Sequence, residues 1–304
     1  MIAVGMPPVV QPVRGMAFVV VLWLLALLAI LLGAFALLAR TEHIQSRALF
    51  DSTQALYAAE AGVNLTVFQL MVPDPEQRWI PDGRVYPFRF DNAEVEISIT
   101  DESGKIDINA ADAQTLDQLF QSLGVDALAA QRLADAVIDW RDPDDLTQVN
   151  GAEAPDYEAA GLPYGPANEP FTTVGELQQV LGMTPALFLS AEPALTVYTG
   201  QGRPNPAFAP LEALRALPDM TDPLARELIE MRRQMDASGG GPAATLPNGQ
   251  PIMVRGGTGT YSIESRATLP NGAWTRLLAT VRIGSADASD IAYTVLRWED
   301  GEAL

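Results

Sequence analysis

Twenty-five consecutive positions without a charge, Gly15 to Ala39 (GMAFVVVLWLLALLAILLGAFALLA), bounded by Arg14 and Arg40, constrain this chain more than any other feature. At about 1.5 Å per residue such a helix reaches roughly 37 Å, enough to cross a hydrocarbon layer of about 30 Å. Buried helices of soluble proteins rarely run so far without a charge, so the segment reads as a transmembrane helix. A secretory signal peptide has an apolar core of about 7 to 15 residues followed by small residues at the cut, and this run is too long for that pattern. The segment is therefore expected to stay in the mature protein.

Ahead of it lies a short leader, Met1 to Arg14, ending in Arg14-Gly15 directly before the apolar run. That arrangement resembles the type IV prepilin signal. The resemblance implies cleavage after Gly15 by a prepilin peptidase on the cytoplasmic side and methylation of the new terminus at Met16. It also implies a glutamate at the fifth mature position, which neutralises the amino terminus of the neighbouring subunit; here that position is Val20. An unpaired buried charge in lipid is costly, so a subunit lacking this carboxylate fits the tip of a fibre rather than its shaft.

Beyond Arg40 the helical pattern continues through TEHIQSRALFDSTQALYAAEAGVNLTVFQLMV, with Leu49, Leu56, Val63, Val67 and Leu70 at helical spacing, and is expected to stop before Pro73 and Pro75. The one histidine, His43, reads as a polar residue just outside the membrane. From Arg84 to Thr100 apolar and polar residues alternate, which predicts two antiparallel strands joined at Asp91-Asn92. Strands return around Ile252–Val254, Tyr261–Thr268, Trp274–Ile283 and Tyr293–Trp298, with Asn271-Gly272 as a hairpin turn. Between these regions the periodicity is helical and punctuated by proline, as in TLDQLFQSLG, ALAAQRLADAVIDW, VGELQQVLG, LEALRAL and PLARELIEMRRQM.

The expected organisation is a leader (1–15), a transmembrane helix (16–39), its extramembrane continuation (40–72) and the first part of a sheet (73–108). An inserted helical domain (109–237), a Gly/Ser/Pro-rich linker (238–250) and the second part of the sheet (251–304) follow. Strands on either side of the insert must then pair across it, bringing its two ends close together.

Composition narrows the function. With no cysteine, the chain has neither disulfides nor thiolate chemistry. A net charge of −19 argues against a polyphosphate partner and favours cations or basic surfaces. Within the helical region two stretches, KIDINAADAQTLDQLFQSLGVDALAAQRLADAVIDWR and RPNPAFAPLEALRALPDMTDPLARELIEMRR, share an outline that resembles helix-hairpin-helix modules. Their turns lack a Gly-x-Gly amide cradle and the field around them is negative, so no nucleic-acid partner is expected. No Gly-x-Ser-x-Gly, His-Glu-x-x-His or phosphate-loop pattern is present, and the chain is expected not to be an enzyme.

One cluster could hold an ion. Asp139, Asp142, Asp144 and Asp145 are followed by Glu153, Asp156 and Glu158 around Pro143, Asn150, Gly151 and Pro155. Oxygen donors on a loop without histidine or cysteine suit a hard cation such as Ca²⁺, although the spacing is not that of an EF-hand. Residue types alone fit a solvated acidic loop equally well.

The prepilin-like leader, Val20, DESGKIDINAAD, the block DAVIDWRDPDD with NGAEAPDY, and YGPANEPFTTVGELQQVLGM together resemble the K-type minor pseudopilins of type II secretion, the K component of the general secretion pathway. The resemblance covers nearly the whole chain. It implies an α+β pseudopilin fold, a long N-terminal helix packed on a small antiparallel sheet, carrying an inserted helical domain. It further implies a place at the tip of the pseudopilus with I-type and J-type minor pseudopilins, contact with other pseudopilins, and a role in priming assembly and supporting export across the outer membrane. The setting it implies is a single pass through the inner membrane, N-terminus cytoplasmic and the remainder periplasmic. The family's calcium positions match Asp142, Asp144, Glu153 and Asp156 here, and no cofactor for catalysis is implied. Accessory minor pilins of type IV pili, which serve adhesion, motility or DNA uptake, share the stem and stand as the alternative.

Overall fold

The computed structural model describes residues 16–74, 76–234, 245–247, 249–252, 258–284 and 293–303. The chain divides after Gln54 into two compact units. Helix α1 runs Met16–Leu70, and its part up to Gln54 makes up the first unit. There the large apolar side chains from Phe18 to Leu38 are half exposed or more, and the helix is long and apolar enough to cross a membrane. A helix satisfies its own backbone groups, so apolar side chains facing outward are what lipid requires of it.

In the second unit, five strands form one antiparallel sheet in the order β1-β2-β5-β6-β7. β1 (Asp82–Phe90) and β2 (Ala93–Asp101) form a hairpin that turns at Asp91, which takes a left-handed φ of 52°. Aspartate tolerates that conformation because its short side chain can bond locally. β5 (Thr260–Thr268) and β6 (Trp274–Ile283) form the second hairpin, with Gly272 at φ 87°, and β7 (Tyr293–Ala303) closes the sheet, running five residues past the predicted Trp298. β2 pairs with β5 from Glu94↔Thr268 to Asp101↔Tyr261. The chain therefore leaves the sheet after Asp101 and re-enters it at a neighbouring point. Of the predicted Ile252–Val254 strand, Met253 and Val254 lie outside the described residues; next to it Pro251 makes an isolated bridge to Thr245.

The alternation along β2 puts Val95, Ile97 and Ile99 on one buried face with Ile263, Ala267, Leu277, Ala279 and Val281. The last turns of α1 cover that face through Ala55, Ala58, Ala59, Val63 and Val67. Each buried Val, Leu or Ile contributes about 1.5–3 kcal/mol relative to exposure. The contact face is made of small residues because the helix sits close: a Cβ on Gly62 would overlap the Ser265 hydroxyl. Leu49, expected on the packed stripe, is instead exposed, since burial begins only at Ala55.

A second, larger core lies in the segment between β2 and β5. Helix α2 (Ala113–Ser122) starts at Asp112, whose carboxylate accepts the Thr115 N–H, and α3 (Ala127–Arg141) starts at Asp126, which accepts the Ala129 N–H. Their apolar faces meet through Leu116, Leu119, Phe120, Leu133, Val137 and Trp140. Helices α4 (Ala154–Ala159), α5 (Pro185–Ala191), α6 (Leu211–Arg215) and α7 (Asp222–Arg233) complete the core. VGELQQ, with a helical pattern in sequence, folds as a six-residue 3-10 helix because Gly175 weakens it and Val180 is already extended (ψ 133°). A two-residue parallel pair, β3 (Ile106–Asp107) with β4 (Leu195–Thr196), links the start and the middle of this segment.

Candidate cation-binding loop

The acidic cluster occupies the connection from α3 to α4. Helix α3 stops at Asp142 because Pro143 follows, and the residue before a proline is driven out of the helical region; Asp142 has ψ 153°. Asp139, one turn earlier and fully buried, folds the loop back onto the helix. Its carboxylate accepts the N–H groups of Gln148 at 3.0 Å and Ala152 at 2.7 Å. Gly151 makes room for this, since a Cβ there would overlap Asp139 Oδ2. Asp135, a further turn back, accepts Asn150 N at 3.1 Å. Asn168 ties in the next segment, donating its backbone N–H to the Trp140 carbonyl and its amide to Asp145 Oδ1. Trp140, Tyr157 and Phe171 pack as an aromatic floor, and the buried Tyr157 hydroxyl accepts the Leu181 N–H.

On this frame four oxygens are buried with no well-formed hydrogen bond among the described residues: both carboxylate oxygens of Glu153, which only the nearby Ala154 N–H influences, Asp142 Oδ1 and Asn168 Oδ1. Glu153 is only 3% exposed. Burial holds its pKa above the ordinary carboxylate range, and the negative charges of Asp139, Asp142 and Asp145 push the same way. Asp142 is raised by burial and then by Asp144. Asp139 is raised by burial, against the lowering effect of the Gln148 and Ala152 N–H groups. Buried acceptors without donors, crowded by like charge, are unfavourable as they stand; a cation relieves both problems together.

Of the four residues matched to the family's calcium positions, Asp142 and Glu153 carry these orphaned oxygens. Asp144 Oδ1 accepts the Leu146 N–H, and Asp156 Oδ2 accepts the Glu153 N–H as the helix cap of α4, so each of those two has one oxygen already engaged. Among the described residues no three His, Cys, Asp or Glu side chains are gathered as a formed metal cluster. The donor set nonetheless fits a hard cation: oxygens only, two of them on a carboxylate without a well-formed hydrogen bond among the described residues. Nothing local in YGPANEP marks Asn168; its place is set by the tertiary contacts with Asp145 and Trp140. Gly15, the expected prepilin cleavage residue, lies outside the described residues. Met16 opens α1, and Val20 is exposed on it.

The model of the family "Type II secretion system (T2SS), protein K" matches residues 95–201, from within β2 through the acidic loop to five residues past β4. A type II secretion system protein K from Klebsiella pneumoniae is 30% identical over 246 residues, covering 72% of this chain and 75% of that one. Another, from Pectobacterium carotovorum subsp. carotovorum, is 27% identical over 252 residues, covering 73% and 76%. A chain of the crystal structure of the GspK-GspI-GspJ complex from enterotoxigenic Escherichia coli aligns with a TM-score of 0.59 at 16% identity, over 85% of this chain and 99% of that one. That likeness, with the apolar helix and the five-stranded sheet, makes this the α+β pseudopilin fold. On the extent and identity of the Klebsiella match, the chain belongs to the type II secretion system protein K family.

Proposed function

We propose that the chain is the minor pseudopilin at the tip of the type II secretion pseudopilus, where it primes fibre assembly and supports export of proteins across the outer membrane. The observation that carries the reading is Val20, a valine where a fibre subunit needs a carboxylate. Inside lipid, a subunit arriving above this one would bring a charged amino terminus with no partner, and that terminus would go unsatisfied. A chain of this kind is tolerated where nothing is stacked on it. Family membership favours secretion over the accessory pilin of a type IV pilus.

Its partners, on this reading, are the I-type and J-type minor pseudopilins, in keeping with the complex that holds the structural relative. Prepilin peptidase cuts after Gly15 and the new Met16 terminus is methylated. The apolar helix stays in the inner membrane, with the second unit in the periplasm. In the acidic loop, Glu153 and Asp142 would hold Ca²⁺, with Asp144 and Asp156 contributing their remaining oxygens. The ion would supply positive charge and fix the loop between α3 and α4. This chain's own part is to present the oxygens: Asp139 and Asp135 shape the loop by accepting its N–H groups, and Asn168 anchors its far side.

The test is Gly15→Leu in the full-length chain expressed in its secreting host. The leader should remain attached, measured by the mass of the purified protein, and export should fall to the level of the deletion strain. Normal export with the leader uncleaved would overturn the assignment.

A further inference from the structure

Between the sheet and the segment that links β2 to β5 lies a cavity of about 440 Å³. Its floor is the face of the sheet turned away from α1. There the register sets Thr100 of β2 opposite Ser262 of β5, Ser262 opposite Thr280 of β6, and Thr280 opposite Arg297 of β7. Strand alternation makes this row polar, while Ile99, Ile263 and Val281, the next residues in their strands, go to the apolar core on the other face. Leu195 of β4 and the 3-10 turn Glu192–Ala194 line the cavity from above. A second space of about 400 Å³ adjoins it and reaches Phe188 and Tyr198; seven residues, Lys105, Glu192 and Thr280 among them, border both. Layers of a fold ordinarily meet through apolar side chains, so a hydroxyl-bearing floor under a space of ligand size calls for a polar occupant.

Charge is nearly balanced within the cleft. Lys105 Nζ meets the buried Glu102 at 2.6 Å, Arg276 pairs with Glu264 at 2.7 Å, and Arg297 donates to both oxygens of Glu299 at 2.7 Å. Glu192, 3.7 Å from Arg297, shares that guanidinium. Each base has its own acid, so an incoming ion finds little unpaired charge, and the net −19 of the chain opposes an anion. Hydrogen-bonding capacity is what stays open. The Ser262 hydroxyl donates to Glu102 at 2.5 Å and accepts from Lys105 at 3.2 Å, so Thr280 is the donor in the 3.2 Å bond between the two hydroxyls. Thr280 keeps its lone pairs, Lys105 a third N–H, and Arg297 the hydrogens of Nη1. Donors and acceptors therefore lie side by side, each fixed in place by an ion pair or a strand. A peptide is poorly served here, because β5 and β6 have a strand on either side and spare no backbone groups for it. A sugar is well served: each of its hydroxyls both donates and accepts, and its C–H faces can rest on Leu195, Phe188 and Tyr198.

We propose that this cleft binds a neutral saccharide of one or two rings, held by the Thr280 hydroxyl, Lys105, Arg297 and Glu192. The site is independent of the acidic loop and of the chain's place in a fibre.

The full-length chain, in a detergent whose headgroup is not a sugar, is mixed in turn with maltose, cellobiose and N,N′-diacetylchitobiose and examined by saturation-transfer NMR. Hexamethylenediamine and succinate serve as charged probes. At least one disaccharide should receive saturation, and about 0.5 M NaCl should leave the signal unchanged, because no ion pair is formed with the ligand. Thr280→Val keeps the shape of the side chain and removes its hydroxyl; it should weaken the binding by on the order of tenfold. Leu278→Trp, on the same face of β6, fills the space and should abolish the signal. Glu192→Ala, at a side chain 38% exposed, should weaken binding with the melting midpoint unchanged, so the proposal stays testable if a floor variant fails to fold. Val85→Thr, on the edge strand β1 and 58% exposed, should leave binding as it was. No transfer to any of the three disaccharides would mean that the cavity holds water alone, and would overturn the proposal. Transfer that survives Leu278→Trp and Glu192→Ala in folded protein would place the sugar elsewhere and overturn it equally. A diamine signal stronger than any sugar signal, and lost in salt, would make the occupant a cation.

Discussion

Asp107 and Glu153 are buried to the same degree, 1% and 3% exposed, in one folded unit, yet their surroundings are opposite. Asp107, at the end of β3, accepts the N–H groups of Asn109 at 2.9 Å, Thr199 at 2.9 Å and Gly200 at 2.7 Å. It stitches the β3–β4 pair to the turn that follows β4. Among the described residues neither carboxylate oxygen of Glu153, at the start of α4, has a well-formed hydrogen-bond partner; the nearby Ala154 N–H lowers its pKa by less than burial and the neighbouring carboxylates raise it. A carboxylate that takes several backbone N–H groups is part of the architecture, whereas one buried with empty oxygens among other carboxylates is stable only if something positive arrives. Asp139 belongs to the first class, although it lies in the same loop as Glu153.

The largest effect that could break this contrast is Asp107→Ala. It leaves buried N–H groups of Asn109, Thr199 and Gly200 without an acceptor, and each such group costs about 1–3 kcal/mol. A loss of about 3–5 kcal/mol is expected by denaturant titration of the full chain in detergent. A loss under about 1 kcal/mol would show that Asp107 is no more structural than Glu153. Next is Gly151→Val, which drives a side chain into the Asp139 carboxylate and opens the loop it holds. About 2–4 kcal/mol should be lost, and the segment around residues 142–152 should become the first site of proteolytic cleavage.

Adding Ca²⁺ tests the other half of the comparison. At about one hundred times its dissociation constant the ion should raise stability by about 2.7 kcal/mol, and EGTA should remove the gain. Asp107→Ala, destabilised as it is, should keep this response. Glu153→Gln should lose it, and in EGTA should be at least as stable as the unmodified chain, because a neutral amide is less costly to bury than an unpaired charge. An unchanged melting midpoint with and without EGTA in the unmodified chain would end the calcium proposal.

How far these differences can be read from the sequence depends on how local their causes are. The strands were legible because Val95, Ile97 and Ile99 alternate with polar residues, and the hairpins because Asp91-Asn92 and Asn271-Gly272 favour tight turns. The acidic loop was legible as a cluster of carboxylates. Which of them hold backbone and which stay empty was not, because partners such as Thr199 and Gly200 lie over ninety residues from Asp107. The same holds for Asn168, twenty-three residues from Asp145. The β3–β4 pair is two residues long on each side, too short to leave a period, and the place of β7 at the sheet's edge among the described residues depends on sheet order rather than on any residue within it.

The smallest effect, and the one that most sharpens the contrast, is in pH. Glu153 has a folded-state pKa above its ordinary value of 4.5, mainly from burial and then from Asp139, Asp142 and Asp145; Asp142 and Asp139 are displaced in the same direction. In the cation-free protein, the folded state therefore binds more protons than the unfolded chain between the ordinary carboxylate range and these raised values. Stability from these groups is then fully present below the ordinary range and lost as pH rises through the raised ones. In EGTA, lowering the pH through that window should bring the melting midpoint of the unmodified chain up toward that of Glu153→Gln, narrowing the gap between them. In saturating Ca²⁺ the sign reverses, because protons now compete with the ion for the same oxygens, and acidification should lower the midpoint of the unmodified chain while that of Glu153→Gln, which keeps the raised Asp139 and Asp142, still rises. If both conditions gave the same slope, the empty oxygens of Glu153 would have no connection to a cation.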